Sequence, residues 1–214
     1  MKTQTLFYDD PYCSSAQAII TSINDNNVTF NKTCFYPEAG GQPGDSGKFD
    51  NIRITNTIYE NGNNSIIHIF EDVTSLDIGK EGKMILNWDK RYMNMKLHSA
   101  LHILYLGFIE IHGNAKVRGA IIEHERARLD LEFFNDIQIE AVSDFVNNII
   151  SSSCDIITYP DTEKDNIRYW KIQNYPPIPC GGTHIKNSNE LSFLNYKVKS
   201  KGKQGKRIYI SFQE

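Results

Sequence analysis

The chain of 214 residues has a formal net charge of −3, and 40% of its residues are hydrophobic and 11% aromatic. A chain of this length can bury a sizeable core as one large domain or two small ones, and its apolar content excludes a wholly disordered protein. The net charge excludes a globally basic nucleic-acid binder, so any contact with nucleic acid requires a local basic patch.

Neither a membrane span nor a secretion signal is predicted. The sequence has no apolar run of about 18 residues, and residues 1–6 lack the apolar core of a signal peptide. We therefore expect a cytoplasmic protein. The four scattered cysteines suit reduced thiols better than a disulfide framework.

Residues 1–87 are predicted to form a small β-barrel-like domain. Short β-type runs alternate with clusters of Asn, Asp and Gly, which is typical of a barrel or sandwich. The runs cover residues 18–20, 27–30, 52–54 and 65–70. The pair Asn61-Gly62 is a hairpin-turn signal.

A long helix is predicted over residues 90–112, which contain no Pro and no Gly before Gly107. Apolar residues occur nearly all round it, so we expect a central, buried helix. Asp89 is the predicted N-terminal cap, and Gly113 is predicted to end the helix in a left-handed conformation.

The remaining elements complete an α+β fold class, in which a small N-terminal β-barrel precedes a domain over residues 88–214 with helices packed on an antiparallel sheet. A second helix is predicted to start at Asn135, with Gln138 as its capping-box partner. The predicted strands cover residues 120–123, 127–133, 155–159, 167–172, 191–199 and 207–212.

His98 and His102 lie four residues apart on the long helix, so their side chains project from the same face. Both imidazoles could reach one cation. Two hydrogen-bonded core histidines are the alternative for the pair taken alone. Because buried imidazoles in such an apolar helix need a polar partner, a metal ion is a candidate for that partner.

The string Cys180-Gly181-Gly182-Thr183-His184 adds a thiol and a third imidazole. The two glycines allow a sharp turn that aims both side chains at one point. Together with His98 and His102, Cys180 and His184 complete a tetrahedral set of the Zn²⁺ type, and the lack of carboxylates argues against Mg²⁺ or Ca²⁺.

Residues 35–47 form a glycine-rich loop that contains the pair Gly40-Gly41. Such a pair suits an ordinary barrel turn. It also presents backbone N–H groups to a small polar ligand with no side chain in the way.

Four strings in chain order carry a family resemblance. They are Phe35-Tyr36-Pro37-Glu38-Ala39-Gly40-Gly41-Gln42-Pro43-Gly44-Asp45-Ser46-Gly47, Trp88-Asp89-Lys90-Arg91 leading into His98-Ser99-Ala100-Leu101-His102, Arg128-Leu129-Asp130, and Cys180-Gly181-Gly182-Thr183-His184. Their combination resembles the editing domain of alanyl-tRNA synthetase. It is still more similar to the free-standing AlaX proteins of the longer form, which have an N-terminal β-domain.

The resemblance implies roles for eight residues. His98, His102, Cys180 and His184 match the family's zinc ligands. Gly40 and Gly41 match a loop linked to recognition of mischarged serine. Gln42, which follows the two glycines in that loop, and Thr183 between the zinc ligands are implied to bind the substrate as well.

The implied reaction is zinc-dependent hydrolysis of the ester that joins serine, or glycine, to tRNA(Ala). No catalytic side chain is assigned, and a zinc-associated water is the implied nucleophile. Glu38 is the nearest candidate for a general base. Whether zinc is catalytic or organises the pocket stays open, because four protein ligands fill a tetrahedron.

A basic segment over residues 197–207 carries six Lys and Arg residues and no acid. Beside a tRNA site, Lys197, Lys199 and Lys201 are predicted to contact phosphates from one strand face, and the alternative is a solvated hairpin. Arg91 and Lys96 are weaker candidates.

Two rival functions remain. One is an editing domain for another amino acid, such as that of threonyl-tRNA synthetase. The other is a structural zinc module that binds RNA.

Overall fold

A computed structural model of the protein describes residues 3–60, 65–164 and 167–213. The chain divides into two units, Met1–Tyr92 and Met93–Glu214. The architecture confirms the predicted α+β class, with a barrel of strands in the first unit and antiparallel sheets with helices in the second. The predicted Asn61-Gly62 turn lies outside the described residues.

The described helices are α1 (Leu6–Asp9), α2 (Trp88–His112) and α3 (Ile139–Ser151). The described strands are β1 (Gln4–Thr5), β2 (Ser15–Asn24), β3 (Asn27–Phe30), β4 (Lys32–Thr33), β5 (Gly47–Phe49), β6 (Ile52–Tyr59), β7 (Ile66–Phe70), β8 (Glu81–Leu86), β9 (Lys116–Glu123), β10 (Arg126–Glu132), β11 (Ile156–Pro160), β12 (Arg168–Ile172), β13 (Ile178–Pro179), β14 (Leu194–Ser200) and β15 (Lys206–Phe212). Among the described helices, none has the length and apolar character needed to cross a bilayer.

The N-terminal unit is built on a closed six-stranded barrel in the order β2-β3-β7-β6-β5-β8. Side chains alternate between the two sides of each strand, so every second residue faces the barrel interior. The buried apolar cluster includes Ala18, Ile20, Val28, Phe30, Phe49, Ile54, Phe70 and Met84.

The C-terminal unit contains two antiparallel sheets, with strand orders β14-β15-β10-β9 and β11-β12-β13. In the four-stranded sheet, Ile208 and Ile210 are buried, whereas the alternate residues Arg207 and Tyr209 keep exposed surface on the other face. One face of this sheet therefore belongs to the core and the other is polar.

The N-terminus of α2 differs from its prediction. The Asn87 side chain accepts a hydrogen bond from the Lys90 N–H at 3.3 Å, so Asn87 caps the helix and Asp89 lies inside its first turn. The predicted end is confirmed. Gly113 has φ of +76° and its N–H donates to the carbonyl oxygen of Ile109 at 2.8 Å.

The predicted start of the second helix at Asn135 is wrong, because α3 begins at Ile139 and Gln138 makes no side-chain capping bond. The Gln138 N–H instead donates to His112 Nε2 at 3.1 Å. This long-range bond satisfies the backbone before the helix begins, and the local pattern around Asn135 does not reveal it.

Arg91 and Asp45 form a buried ion pair in the N-terminal unit, with 0% and 1% of their side-chain surface exposed. The Arg91 guanidinium also donates to the carbonyl oxygens of Pro11 at 3.0 Å and Cys34 at 2.7 Å. The suggestion that Arg91 contacts phosphate is therefore wrong, because its donors are used inside the protein.

His68 lies fully buried in the barrel and is hydrogen-bonded on both ring nitrogens. Its Nδ1–H donates to the Val28 carbonyl oxygen at 3.3 Å, so Nε2 accepts from the Thr33 hydroxyl at 2.8 Å. Burial lowers the pKa of His68 to about 3. The His68 imidazole is therefore neutral in the folded barrel.

We expect acid to destabilise the protein through His68. Because its pKa is about 3 when folded and 6.5 ordinarily, the unfolded chain binds more protons between these values. The stabilisation is complete above about pH 6.5 and is lost as the pH falls, by up to about 1.4 kcal/mol per pH unit. A His68→Gln variant keeps polar atoms for Thr33 and Val28 without titrating. Urea unfolding between pH 7 and 4.5 should show a flatter decline for this variant, and equal slopes would refute this role of His68.

Candidate metal centre

Two of the predicted metal ligands lie one turn apart on α2. The rings of His98 and His102 are nearly parallel, with centroids 5.1 Å apart and 17° between their planes. Neighbouring Leu97 and Leu101 are buried, so the apolar sides of the helix fix the direction in which the histidines project.

The loop that carries Cys180 and His184 is anchored at both ends. Before it, the Cys180 N–H donates to the Arg168 carbonyl oxygen at 2.8 Å. After it, the Lys186 carbonyl oxygen accepts from the Ile156 N–H at 2.8 Å. These bonds attach the loop to strands β12 and β11, which holds the thiol and the imidazole in place.

The structure brings the four predicted ligands together. One donor atom from each of His98, His102, Cys180 and His184 lies within 4.8 Å of the others. Cys180 Sγ is 3.4 Å from His98 Nε2 and 3.3 Å from His184 Nε2. Ligands on one tetrahedral zinc ion, with bonds of about 2.0–2.3 Å, are separated by roughly 3.3–3.8 Å, so these two spacings suit a shared ion.

Burial sets the protonation states of the cluster. It lowers the pKa of His98 to about 4, and it takes the pKa values of His102 and His184 well below 6.5, with the neighbouring imidazoles as the second cause. Burial raises the pKa of the Cys180 thiol to about 11, against a weaker opposing effect of the Gly182 N–H. The imidazoles are thus in their neutral, metal-binding form, and the thiol requires a nearby cation to ionise.

An unpartnered buried atom supports the fit of a metal ion. His102 Nε2 is inaccessible to solvent and has no hydrogen-bond partner within the described part of the chain. A buried polar atom without a partner is costly, and a metal ion would relieve that cost. Three neutral imidazoles and one thiol match zinc, so the residues present fit this ion.

Two supporting residues were not found from the sequence. Ser99 Oγ accepts from the Ile185 N–H at 3.3 Å and lies 3.1 Å from His184 Nδ1, which leaves Nε2 of that ring directed at the cluster. Trp170 is buried and stacks on His102 with ring centroids 4.8 Å apart. The sequence could have indicated Ser99, because a serine within an apolar helix suggests a specific polar contact. Nothing in the sequence indicates Trp170, because it reaches the cluster only through the position of β12.

The predicted substrate residues fall in both units. Thr183 is buried between two of the cluster residues. In the N-terminal unit, Gln42 is buried and closes a two-residue hairpin, since its N–H donates to the Ala39 carbonyl oxygen at 3.0 Å. Their roles in binding stay predictions.

Gly40 and Gly41 are the central residues of this hairpin. Their φ angles are +59° and +84°, which is the backbone of a type I′ turn. No atom of the described part of the N-terminal unit lies within 4 Å of a Cβ added at Gly40. The turn therefore needs glycine, or asparagine, for its backbone, and a side chain at Gly40 would meet open space in its own unit.

Glu38, the candidate general base, has an exposed side chain whose Oε2 accepts from Asn56 Nδ2 at 3.5 Å. The backbone N–H of Glu38 donates to the Thr57 carbonyl oxygen at 2.9 Å. Its role as a base stays a prediction.

The predicted phosphate-binding lysines divide between a strand and a turn. Lys197 and Lys199 are exposed on the same side of β14, and strand pairing ends at Ser200. Lys201 begins the following turn, where its N–H donates to the Gly205 carbonyl oxygen at 2.8 Å. Lys96 Nζ lies 4.7 Å from the centre of the Phe212 ring.

Three known proteins illustrate what the chain is similar to. The alanyl-tRNA editing protein AlaX-M of Pyrococcus horikoshii is 27% identical over 209 residues, covering 96% of this chain and 95% of that protein. AlaX-M of Saccharolobus solfataricus is 31% identical over 234 residues, covering 98% of each. The alanine–tRNA ligase of Methanococcus aeolicus is 29% identical over 217 residues, which cover 90% of this chain and 24% of the ligase. No family model matches the chain.

Proposed function

Because the chain belongs to the AlaX family of alanyl-tRNA editing proteins, we propose that it deacylates mischarged tRNA(Ala). Serine is the amino acid removed, with glycine as a second one. The reaction is hydrolysis of the ester between the amino acid and the terminal ribose, and Zn²⁺ is the cofactor.

Such a hydrolase is needed because binding alone selects poorly between very similar amino acids. A synthetase pocket for alanine discriminates only weakly against an amino acid that differs by one small group. A separate hydrolytic site adds a second selection step after the tRNA has been charged. Both serine and glycine differ from alanine by such a small group.

The convergence of four donor atoms within 4.8 Å carries the proposal. His98, His102, Cys180 and His184 would hold the zinc ion. When bound, zinc supplies a Lewis acid that polarises oxygen atoms of an ester or of water. Ser99 orients the His184 ring, and Trp170 holds the His102 ring in place by stacking. His98, His102 and Cys180 keep some exposed surface, whereas His184 is buried.

A structural zinc module that binds RNA is the second candidate, since a set of four protein ligands is typical of structural sites. Turnover separates the two functions. With seryl-tRNA(Ala) in tenfold excess over protein, an enzyme releases all of the serine, whereas a binding module releases none above the uncatalysed rate. A panel of other mischarged tRNAs, including mischarged tRNA(Thr), tests the rival editing specificity.

Selectivity for serine depends, in this proposal, on Gly40 and Gly41. A Gly40→Ala variant adds a Cβ at a positive φ, which costs about 1 kcal/mol of turn stability. Gly40→Asn is the matched control, because asparagine tolerates this backbone but still adds a side chain. If the open space at Gly40 receives the serine side chain, both variants should lose seryl-tRNA deacylation more than glycyl-tRNA deacylation.

The measurement is the ratio of the two deacylation rates, with zinc content as the control for folding. Loss in Gly40→Ala that is restored in Gly40→Asn would assign the glycine to turn geometry. Equal loss of both rates would place selectivity elsewhere, for example at Thr183.

Lys197, Lys199 and Lys201 contact tRNA phosphates in this proposal. Replacing all three by glutamine should weaken binding of every tRNA about equally. It should also flatten the plot of log affinity against log salt by somewhat under one unit for each phosphate that the variant no longer binds. Exposed lysines of the N-terminal unit, such as Lys48, provide the matched control. An unchanged slope would leave the three lysines as a solvated surface.

A further inference from the structure

The polar face of the four-stranded sheet carries a ring of cations around one aromatic side chain. In the strand register, Lys197 pairs with Tyr209, and Tyr209 pairs with Arg128. The alternate residues Ile208 and Ile210 are buried, so Tyr209 points away from the core. We refer to Tyr209 with Lys197, Lys199 and Arg126 as the tyrosine pocket.

The tyrosine pocket has a volume of about 370 Å³. Lys199 Nζ lies 5.4 Å from the centre of the Tyr209 ring, and the Arg126 guanidinium carbon lies 5.7 Å from it. The Tyr209 hydroxyl is near Arg207 Nη1, at 3.4 Å, and this hydrogen bond is the main cause that lowers the pKa of Tyr209. The potential around the ring is therefore positive.

The charges of this face are only partly neutralised. Arg207 and Arg128 both pair with Asp130, and Arg126 pairs with Glu123. Lys197 and Lys199 have no carboxylate within ion-pair distance anywhere in the described ranges of the chain. Two cations without a carboxylate partner beside a partly exposed aromatic ring are the chemistry that binds a nucleotide, since lysines pair with phosphate and the ring stacks on a base.

We propose that the tyrosine pocket binds one unpaired nucleotide of the tRNA, with its base stacked on Tyr209 and its phosphates paired with Lys197 and Lys199. This inference rests on the proposed function, which makes tRNA the substrate. No residue of the pocket belongs to the metal cluster. The unpaired 3′ end of the tRNA supplies this nucleotide.

Two RNAs test the pocket: an acceptor-stem duplex with unpaired 3′ nucleotides, and the same duplex with a blunt end. Because a stacked base contributes about 1–3 kcal/mol, Tyr209→Leu should weaken binding of the first RNA by about 5- to 150-fold. Binding of the blunt duplex should stay unchanged. Tyr209→Phe keeps the stacking ring and should bind both RNAs within about twofold of wild type.

Tyr159→Leu is the matched control, since Tyr159 is also a half-exposed strand tyrosine of the C-terminal unit. It should change neither affinity. If Tyr209→Leu does not fold, Tyr209→Met removes the ring with a longer, unbranched and more flexible side chain and gives the same comparison. Wild-type affinity in the variant that lacks the ring, or equal loss on both RNAs, would overturn the proposal.

Failure of the proposed function gives a different result. If the wild-type protein hydrolyses no aminoacyl-tRNA but still binds the RNA with unpaired 3′ nucleotides more tightly through Tyr209, the result supports the pocket and refutes the editing activity. If the protein hydrolyses seryl-tRNA(Ala) and Tyr209→Leu binds both RNAs as wild type does, the result supports the editing activity and refutes the pocket.

Discussion

Cys180→Ala and His98→Ala variants are expected to lose bound zinc and deacylation activity together. Each substitution removes one of four donor atoms that lie within 4.8 Å of one another. Three remaining ligands hold the ion far less tightly, so zinc should fall from about one ion per chain to near zero, and the rate by about a hundredfold or more. Elemental analysis of the purified variants gives the zinc content.

Cys154→Ala is the matched control for this experiment. Cys154 is a buried, reduced cysteine of the same unit and does not belong to the cluster. The control should retain both zinc and activity. One zinc ion per chain in Cys180→Ala or His98→Ala would show that the cluster is not the metal site.

The largest effect on stability is expected at Arg91. Arg91→Met leaves the Asp45 carboxylate buried without its cation and leaves the Pro11 and Cys34 carbonyl oxygens without their donor. Removing one partner of a buried ion pair costs about 3–5 kcal/mol. Urea unfolding of the purified variant measures this change in the free energy of unfolding.

A double variant, Arg91→Met with Asp45→Leu, tests whether the loss of stability comes from the unpaired charge. Replacing both members by apolar residues removes the buried charge, so the double variant should be more stable than Arg91→Met alone. If the double variant is the less stable of the two, the main role of Arg91 is to bind the carbonyl oxygens of the barrel.

Local patterns in the sequence are enough to predict the elements that hold the metal cluster. The run of apolar residues before Gly113 places α2, because helix period and a left-handed end are properties of neighbouring residues. The spacing of His98 and His102 then fixes their common face. The two glycines after Cys180 indicate a turn, which the structure anchors to β12 and β11.

Features that depend on distant residues are not predicted from such patterns. Arg91 resembles an accessible cation in the sequence, because its partner Asp45 lies 46 residues earlier in the chain. The predicted start of α3 is misplaced because His112 binds the backbone N–H of Gln138 from another helix. Such contacts exist only once the chain has folded, so no local pattern contains them.

The tyrosine pocket on the polar face of the sheet also depends on distant residues and is not predicted from the sequence. A run of lysines over residues 197–203 is visible in the sequence, but the ring of Tyr209 joins it only through the register of β14 with β15. Arg126 arrives from β10 by the pairing of a third strand. The composition of the segment therefore indicates positive charge but not the tyrosine pocket.

We propose that this chain removes the wrong amino acid from tRNA(Ala). The most direct measurement is the rate of deacylation of tRNA(Ala) charged with serine, glycine or alanine, with substrate in excess over protein. We expect repeated turnover on seryl-tRNA(Ala), a lower rate on glycyl-tRNA(Ala) and little hydrolysis of alanyl-tRNA(Ala), because the methyl group of alanine fills the space of the hydroxymethyl group and leaves the polar group there unpaired. Equal rates on seryl- and alanyl-tRNA(Ala), or no turnover on any of the three, would refute the proposed editing of tRNA(Ala).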